Sequence, residues 1–245
     1  MKKLNQSKIK VFAFIVIIVA VAFCGNWLYK GRRVHFEDDM MRQVICLELG
    51  KDRDSQDVTY RDLEGIEELE IGPVGTFETI EDVSKCKNLK KLRVNVEVTD
   101  RNASYDVYKK TETGENLLTI LDVNQIESIQ EDLEKIFKSA KKIENFGFSN
   151  FNESCNITKI DFLKDAKNLK RMGISYGNIS DYSILENCKK LESIDLEQSN
   201  IDNADVLLKL KYVNRLILTG TPLAENEEEI SRLEKAFPEA KIVVD

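Results

Sequence analysis

The 245-residue chain has one histidine, His35. That scarcity excludes a Ser-His-Asp or Cys-His set in the body of the chain unless a base other than histidine is used. No C-x-x-C, H-E-x-x-H, G-x-G-x-x-G or P-loop pattern occurs, so no signature for metal, dinucleotide or nucleotide binding is present. The five cysteines lack paired spacing and make no disulfide framework. Acidic residues are missing from residues 1–33, which hold seven Lys and Arg; the rest carries 29 basic against 43 acidic residues, a net charge of −14. An acidic body is a poor partner for nucleic acid, and anionic lipid headgroups repel it. Carboxylates abound, but spacing alone does not identify a glycosidase pair. The chain is expected to be no enzyme and to use no cofactor or metal.

Hydrophobicity is unevenly placed. Lys2, Lys3, Lys8 and Lys10 precede residues 11–23, a stretch with no polar side chain, and Lys30, Arg32 and Arg33 follow it. Residues 9–28 are long enough to cross roughly 30 Å of hydrocarbon as a helix. Trp27 and Tyr29 sit where an interfacial aromatic belt is expected. Residues 1–33 therefore read as a cytoplasmic tail and a transmembrane signal anchor, with residues 9–29 in contact with the membrane. The basic N-terminus favours the inside, which makes this a single-pass cell-membrane protein with its body outside the cytoplasm. The alternative is secretion after cleavage following Ala22, since Ala20-Val21-Ala22 is a small-x-small pattern. Lipidation at Cys24 is disfavoured by the bulky Phe23 before it.

The body is repetitive. Asn168-Leu169-Lys170-Arg171-Met172-Gly173-Ile174, Lys190-Leu191-Glu192-Ser193-Ile194-Asp195-Leu196 and Val213-Asn214-Arg215-Leu216-Ile217-Leu218 place Ile174, Leu196 and Leu218 at 22-residue intervals. The pattern is L-x-x-L-x-L-x-x-N-x-L, with one residue of slack. The phase extends back through Ile143 to Phe148, Leu118 to Val123, Asn88 to Val94 and Leu69-Glu70-Ile71, and forward to Ala240 to Val244. About eight parallel strands spanning roughly 35 Å are expected. One repeat cannot bury its apolar face alone; stacked neighbours make a continuous core. Leu92 and Val94, or Ile194 and Leu196, should point inward, being two apart on a strand. Asn178 and Asn200, with Thr221 in the last repeat, are expected to turn into the solenoid and satisfy buried backbone groups; ordinary turn asparagines are the alternative. Cys86 and Cys188 share one small buried slot with Ala140 and Ala166. Four strand spacings, about 19 Å, would keep the two thiols from bonding.

Solenoid ends need covering. Phe36, Met40, Met41, Val44, Ile45, Leu47 and Leu49 make one apolar face of a helix over residues 36–49, ended by Gly50. Thr59-Tyr60-Arg61-Asp62-Leu63 has a capping-box pattern. A helix over residues 225–237 should turn Ile230, Leu233, Ala236 and Phe237 inward before Pro238, with the Glu227-Glu228-Glu229 run solvated near its start. The run from Phe36-x-Asp38 through Leu49-Gly50-Lys51, Val58 to Leu63 and Leu69-Glu70-Ile71, followed by the 22-residue repeats, resembles the internalin-type bacterial leucine-rich-repeat proteins. The resemblance covers residues 34–245. It implies an α/β leucine-rich-repeat solenoid with a parallel β-sheet on its concave face and short helices on its convex face. It also implies a surface protein that binds other proteins; the ligand itself does not carry over. The expected division is a helical cap at residues 34–66 and repeats at 67–245, with an irregular insertion near 95–116. The repeats between Val94 and Ile174 depart from the family's regularity. No wall-sorting pattern precedes Asp245, so attachment through the N-terminal helix is expected.

On an L-x-L strand the residue between the inward pair, and the one after it, face outward. That register assigns a concave ligand-binding surface to Arg93 and Asn95, Asp122 and Asn124, Ser149, Gly173 and Ser175, Asp195 and Glu197, and Thr219, flanked by Arg171 and Arg215. Glu70, Gly147 and Ile217 share the surface. Gly147, Ser149, Gly173 and Ser175 are small and should leave a shallow depression with charged rims, suited to a protein ligand that also touches residues 97–115. Merely exposed strand positions are the plainer alternative. Two other functions compete: an assembly partner of membrane or cell-envelope components, and a carbohydrate-binding surface protein. The lack of aromatic concave positions disfavours the second.

Overall fold

The computed structural model describes residues 6–96, 123–149 and 157–245. Among the described residues seven strands form one sheet in chain order, all parallel: β1 (Glu68–Ile71), β2 (Lys91–Asn95), β3 (Asn145–Ser149), β4 (Arg171–Ile174), β5 (Ser193–Asp195), β6 (Arg215–Ile217) and β7 (Lys241–Val243). The register aligns Leu69, Leu92, Phe146, Met172, Ile194, Leu216 and Ile242 across the sheet. From Leu69 to Leu216 every member of that row is buried, as are Ile71, Val94, Phe148, Ile174, Leu196 and Leu218 two residues on. Burying such a side chain is worth about 1.5–3 kcal/mol, and each depends on the neighbouring rung to cover it.

Each repeat then turns a corner. Tyr176, Gln198 and Gly220, again 22 apart, take positive φ values of 54°, 56° and 70°. The next residue faces inward: Ser199 and Thr221 are buried, and Thr221 Oγ1 donates to Leu218 O at 2.6 Å and accepts from Ala224 N at 3.1 Å. Thr221 thus holds the expected corner place, but Asn178 and Asn200 do not. Both are exposed, one residue past the buried position, and they ladder along the surface. Asn200 Nδ2 donates to Asn178 Oδ1 at 3.1 Å, and Asn200 Oδ1 accepts from Ile179 N at 3.0 Å.

The convex side is built from 3-10 turns at Glu81–Lys85, Asp161–Asp165, Ser183–Asn187, Leu207–Lys209 and Pro222–Glu225. Each sends one branched apolar residue into the core, among them Val83, Leu185 and Leu223. Cys86, Ala140, Ala166 and Cys188 are buried in their shared slot. Burial pushes the Cys86 thiol up to about 12 and the Cys188 thiol to about 11, which keeps both protonated and inert. Three strand spacings separate their repeats, about 14 Å rather than 19 Å, because the sheet lacks one expected strand.

The missing strand is the one expected over residues 118–123. β2 pairs directly with β3, Lys91 opposite Asn145, so no strand stands between them. Residues 97–122, including the expected insertion, lie outside the described residues. At Val123 the chain is already helical: α4 runs Val123–Ser139. Its buried Ile129, Leu133, Ile136 and Phe137 follow the i, i+4, i+7, i+8 spacing of one helix face. Phe137 packs on Phe146 and Phe162 with ring centroids 5.2 and 5.5 Å apart. Two buried polar side chains pin α4 to the convex turns on either side. Asp132 Oδ2 accepts from Thr79 Oγ1 at 2.6 Å and Ile80 N at 2.9 Å; Gln130 Oε1 accepts from Thr158 N and Lys159 N at 3.0 and 2.9 Å.

At the N-terminal end, α2 (Asp39–Glu48) starts at the N-cap Asp38, and Gly50 follows with φ 67°. The helix α3 (Tyr60–Leu63) carries the expected capping box between Thr59 and Asp62. Met41, Val44, Ile45, Cys46 and Leu63 join the same core as the strands. Asp38 accepts from Met41 N at 2.7 Å and Glu78 N at 2.6 Å, while Asp82 accepts from Glu37 N and Asp38 N at 2.9 and 3.0 Å. At the other end, α5 (Glu227–Ala236) buries Leu233 and is followed by the buried Phe237. Ala236, expected inward, is exposed. Glu229 is more than solvated surface: its Oε2 accepts from Ala204 N at 2.7 Å.

Ahead of all this, α1 (Gln6–Lys30) projects an apolar surface; Val11, Phe14, Ile17, Val21 and Leu28 are among its exposed side chains. Its last turn is clasped to α3. Lys30 Nζ lies 2.7 Å from Glu64, Tyr29 stacks on Tyr60 at 4.9 Å, and the Arg61 guanidinium sits 5.2 Å from the Trp27 ring centre. Counted over the described residues, no helix is long and apolar enough to cross a membrane; residues 1–5 and the side chains of residues 6–10 and 13 lie outside that count.

Leu196 is fully buried between rungs. Leu196→Asp would place an unpaired carboxylate there, at a cost of several kcal/mol, comparable to a whole domain's stability. The melting temperature should fall sharply or the folded protein should not be recovered. An unchanged melting curve would show that Leu196 is not a core position.

Candidate functional site: the concave face of the sheet

Parallel strands in register convert sequence positions into straight rows of side chains. The residue between each inward pair lies opposite its counterpart, giving the row Glu70, Arg93, Gly147, Gly173, Asp195, Ile217. Two residues earlier runs a parallel row: Glu68, Lys91, Asn145, Arg171, Ser193, Arg215. Both rows lie on the outer face of the sheet, and all of their members except the buried Glu70 line a groove of about 690 Å³. Its floor is lowest at Gly147 and Gly173. A Cβ added at Gly147 would meet only Arg93 Cγ, at 3.7 Å, and one at Gly173 only Asp195 Cβ, at 3.6 Å.

Six of the twelve residues assigned from the sequence to the concave ligand-binding surface meet at this groove. Arg93, Arg171, Gly173, Ser175, Asp195 and Arg215 line it. Glu197 is exposed and Thr219 half-buried just past the strands; Thr219 Oγ1 donates to Asp245 O at 3.0 Å. Ser149 ends β3 opposite Asn95, its side chain outside the described residues. Two expectations need revision, and a third is not reached by the described residues. Asn95 is buried and its Nδ2 donates to Glu70 Oε1 at 3.1 Å, so neither residue presents a free surface. Asn124 belongs to α4, not to a strand. Asp122 lies outside the described residues.

The L-x-L register makes Arg171 and Arg215 flanking residues and passes over Lys91, Asn145 and Ser193. All belong to the earlier outward row. The signal was available, since the first residue of each strand alternates with the inward Leu, Phe, Met or Ile as the middle one does.

Charges in the groove fall into two groups. Lys91 is held by Glu68 at 2.9 Å, and Arg171 Nε donates to Asn145 Oδ1 at 2.6 Å. Arg93 and Arg215 form no ion pair or side-chain hydrogen bond among the described residues. On the convex side acids are matched by cations: Glu134 with Lys164 at 3.0 Å, Asp165 with Lys141 at 2.7 Å, Glu186 with Lys209 at 2.7 Å. The hydrogen bond from Lys141 holds the Asp165 carboxyl below its ordinary value. Among the described residues no cluster of His, Cys, Asp or Glu could hold a metal ion.

No protein-family model matches the chain, and no curated protein matches it either. Solved structures do. InlP of Listeria monocytogenes aligns at a TM-score of 0.51 with 13% identity, over 85% of this chain and 51% of that one. This is a likeness of fold. The chain has the leucine-rich-repeat fold. Internalin C2 of the same organism aligns over 86% of this chain and 94% of its own at 19% identity, TM-score 0.39. Internalin InlF aligns over 85% and 88% at 14% identity, TM-score 0.36. The chain spans about half the length of InlP.

Gly147 and Gly173 therefore serve space rather than backbone conformation. Gly147→Ala and Gly173→Ala should each leave the protein as stable or raise stability by about 0.4–1 kcal/mol, through the unfolded state. Urea unfolding measures this, and a loss of stability in either variant would show that the positions are strained.

Proposed function

We propose that the chain is a membrane-anchored, extracytoplasmic binding module that takes a protein ligand across the concave face of its repeats. The groove carries this reading. Its floor is made of small residues on a rigid sheet, and its rim holds Arg93, Asp195 and Arg215, side chains that fold stability does not need. A depression with polar rims on a pre-formed surface is what a partner's projecting side chains require.

The anchor is argued from the sequence and from exposure. Helix α1 has 25 residues, about 37 Å at 1.5 Å per residue, and residues 11–23 contain no polar side chain. Nothing among the described residues covers its apolar side chains, which are more than half exposed at Val11, Phe14, Ile17 and Phe23. Water-exposed apolar surface of that extent calls for lipid or a partner. The four lysines before the helix, against three cations after it, favour an orientation with the repeats outside the cytoplasm. In this arrangement α2 and α3 close the N-terminal end of the core, and the clasp between α1 and α3 fixes the solenoid's orientation at the membrane.

Two experiments test the proposal. Protease added to intact spheroplasts should degrade the repeats; full protection would reverse the orientation. Crosslinking in the native cell should capture a protein partner, and Gly173→Trp or Asp195→Arg should reduce that crosslink severalfold without lowering the melting temperature. If both variants crosslink normally while substitutions on the convex turns abolish capture, the ligand does not sit on the concave face.

A further inference from the structure

The arginines of the groove follow a spacing that no stability argument requires. Arg93 stands on β2, Arg171 on β4 and Arg215 on β6, with Asn145 and Ser193 short on the strands between. Alternate strands are about 10 Å apart, so the backbone positions of Arg171 and Arg215, in one row, are about 10 Å apart, and Arg93, two residues further along its own strand, is about 12 Å from Arg171. An extended peptide advances about 3.3 Å per residue, so this interval matches every third residue. The cations lie in a chain body whose net charge is −14. None of the three has a carboxylate partner among the described residues: Arg171 donates to the Asn145 amide oxygen, and Arg93 and Arg215 form no side-chain pair, although Glu134, Asp165 and Glu186 on the convex side are paired with lysines.

We propose that the groove recognises an extended acidic segment of a protein, laid across the strands, with carboxylates about three residues apart. The proposal deepens the concave-face reading and rests on it. Arginine suits the task because its planar fork meets a carboxylate with two parallel hydrogen bonds. Asp195 sets the selectivity. It stands on β5, between the strands of Arg171 and Arg215, and its Oδ1 already accepts from Glu197 N at 3.1 Å. A uniformly charged polyanion would meet this carboxylate at close range. A peptide with a hydroxyl or amino side chain between its carboxylates would not, and could donate to it. The glycine floor lets the peptide backbone approach the sheet.

The test uses the full-length protein in neutral detergent and a fluorescent peptide with Glu at every third position among Ser and Thr. Fluorescence anisotropy should show binding that weakens with salt and is lost when Glu is replaced by Gln. Arg93→Glu and Arg215→Glu should each weaken binding about threefold to fivefold, as expected for exposed ion pairs, with unchanged melting curves. Equal binding of the Glu and Gln peptides, or no effect of either charge reversal, overturns the proposal. So does inorganic polyphosphate binding as tightly as the spaced peptide, because the groove would then be a general polyanion site. Gly173→Trp separates the two levels. If it abolishes the native crosslink while the wild type ignores the Glu peptide, the concave face stands and the acidic partner falls. If it leaves both crosslink and peptide binding intact, the concave-face reading falls as well.

Discussion

Each rung of the solenoid buries its two inward side chains only against the rungs on either side. That mutual covering is the constraint on which the structure depends. Leu92 needs Phe146 and Leu69; Ile194 needs Met172 and Leu216. A one-residue slip would turn every inward side chain to solvent, so register is enforced strongly. Enforcing the inward face leaves the outward face free. Gly147, Gly173, Arg93 and Arg215 can vary without disturbing the core, and recognition can change on a scaffold that does not.

The middle of the solenoid shows how the constraint survives irregularity. Lys91 and Asn145 are paired neighbours in the sheet although 54 positions apart, where adjacent strands elsewhere are offset by 22 to 26. Extra chain length costs little entropy, since loop closure grows only with the logarithm of length. The longer repeat replaces a short convex turn with α4, and the helix is tied in by aromatic packing and by two buried polar side chains. Asp132 binds the turn before it and Gln130 the segment after it. These are hydrogen bonds to backbone N–H groups that would otherwise be buried without partners, which gives them more weight than surface pairs. The N-terminal end uses the same device: Asp38 and Asp82 each accept from backbone N–H groups of the other's segment.

Charge is arranged by face. On the convex side Glu134, Asp165 and Glu186 each pair with a lysine of the neighbouring repeat. The groove instead keeps unmatched arginines, and Asp195 beside them. Such pairs add little to stability, so the fold does not depend on the unpaired cations of the groove.

Local pattern determined much of this protein. The 22-residue period, the inward pairs, the capping box at Thr59, the stop at Gly50 and the outward position of Arg93 and Gly173 all follow from side-chain alternation and turn chemistry, which act over a few residues. Tertiary structure decided the rest. Leu118 to Val123 matches the strand pattern, yet β2 pairs directly with β3 and Val123 opens α4, because pairing is settled by which apolar faces stack. The helix α4 was legible in the spacing of Ile126, Ile129, Leu133, Ile136 and Phe137, but a period tuned to strands passes over it. Asn200 and Ser199 are adjacent, and only the left-handed corner at Gln198 sets which one turns inward. Asn95 reads as an exposed strand residue and is buried against Glu70, a contact between rungs that no single repeat contains. What repeats could be read from one copy; what joins unequal copies could not.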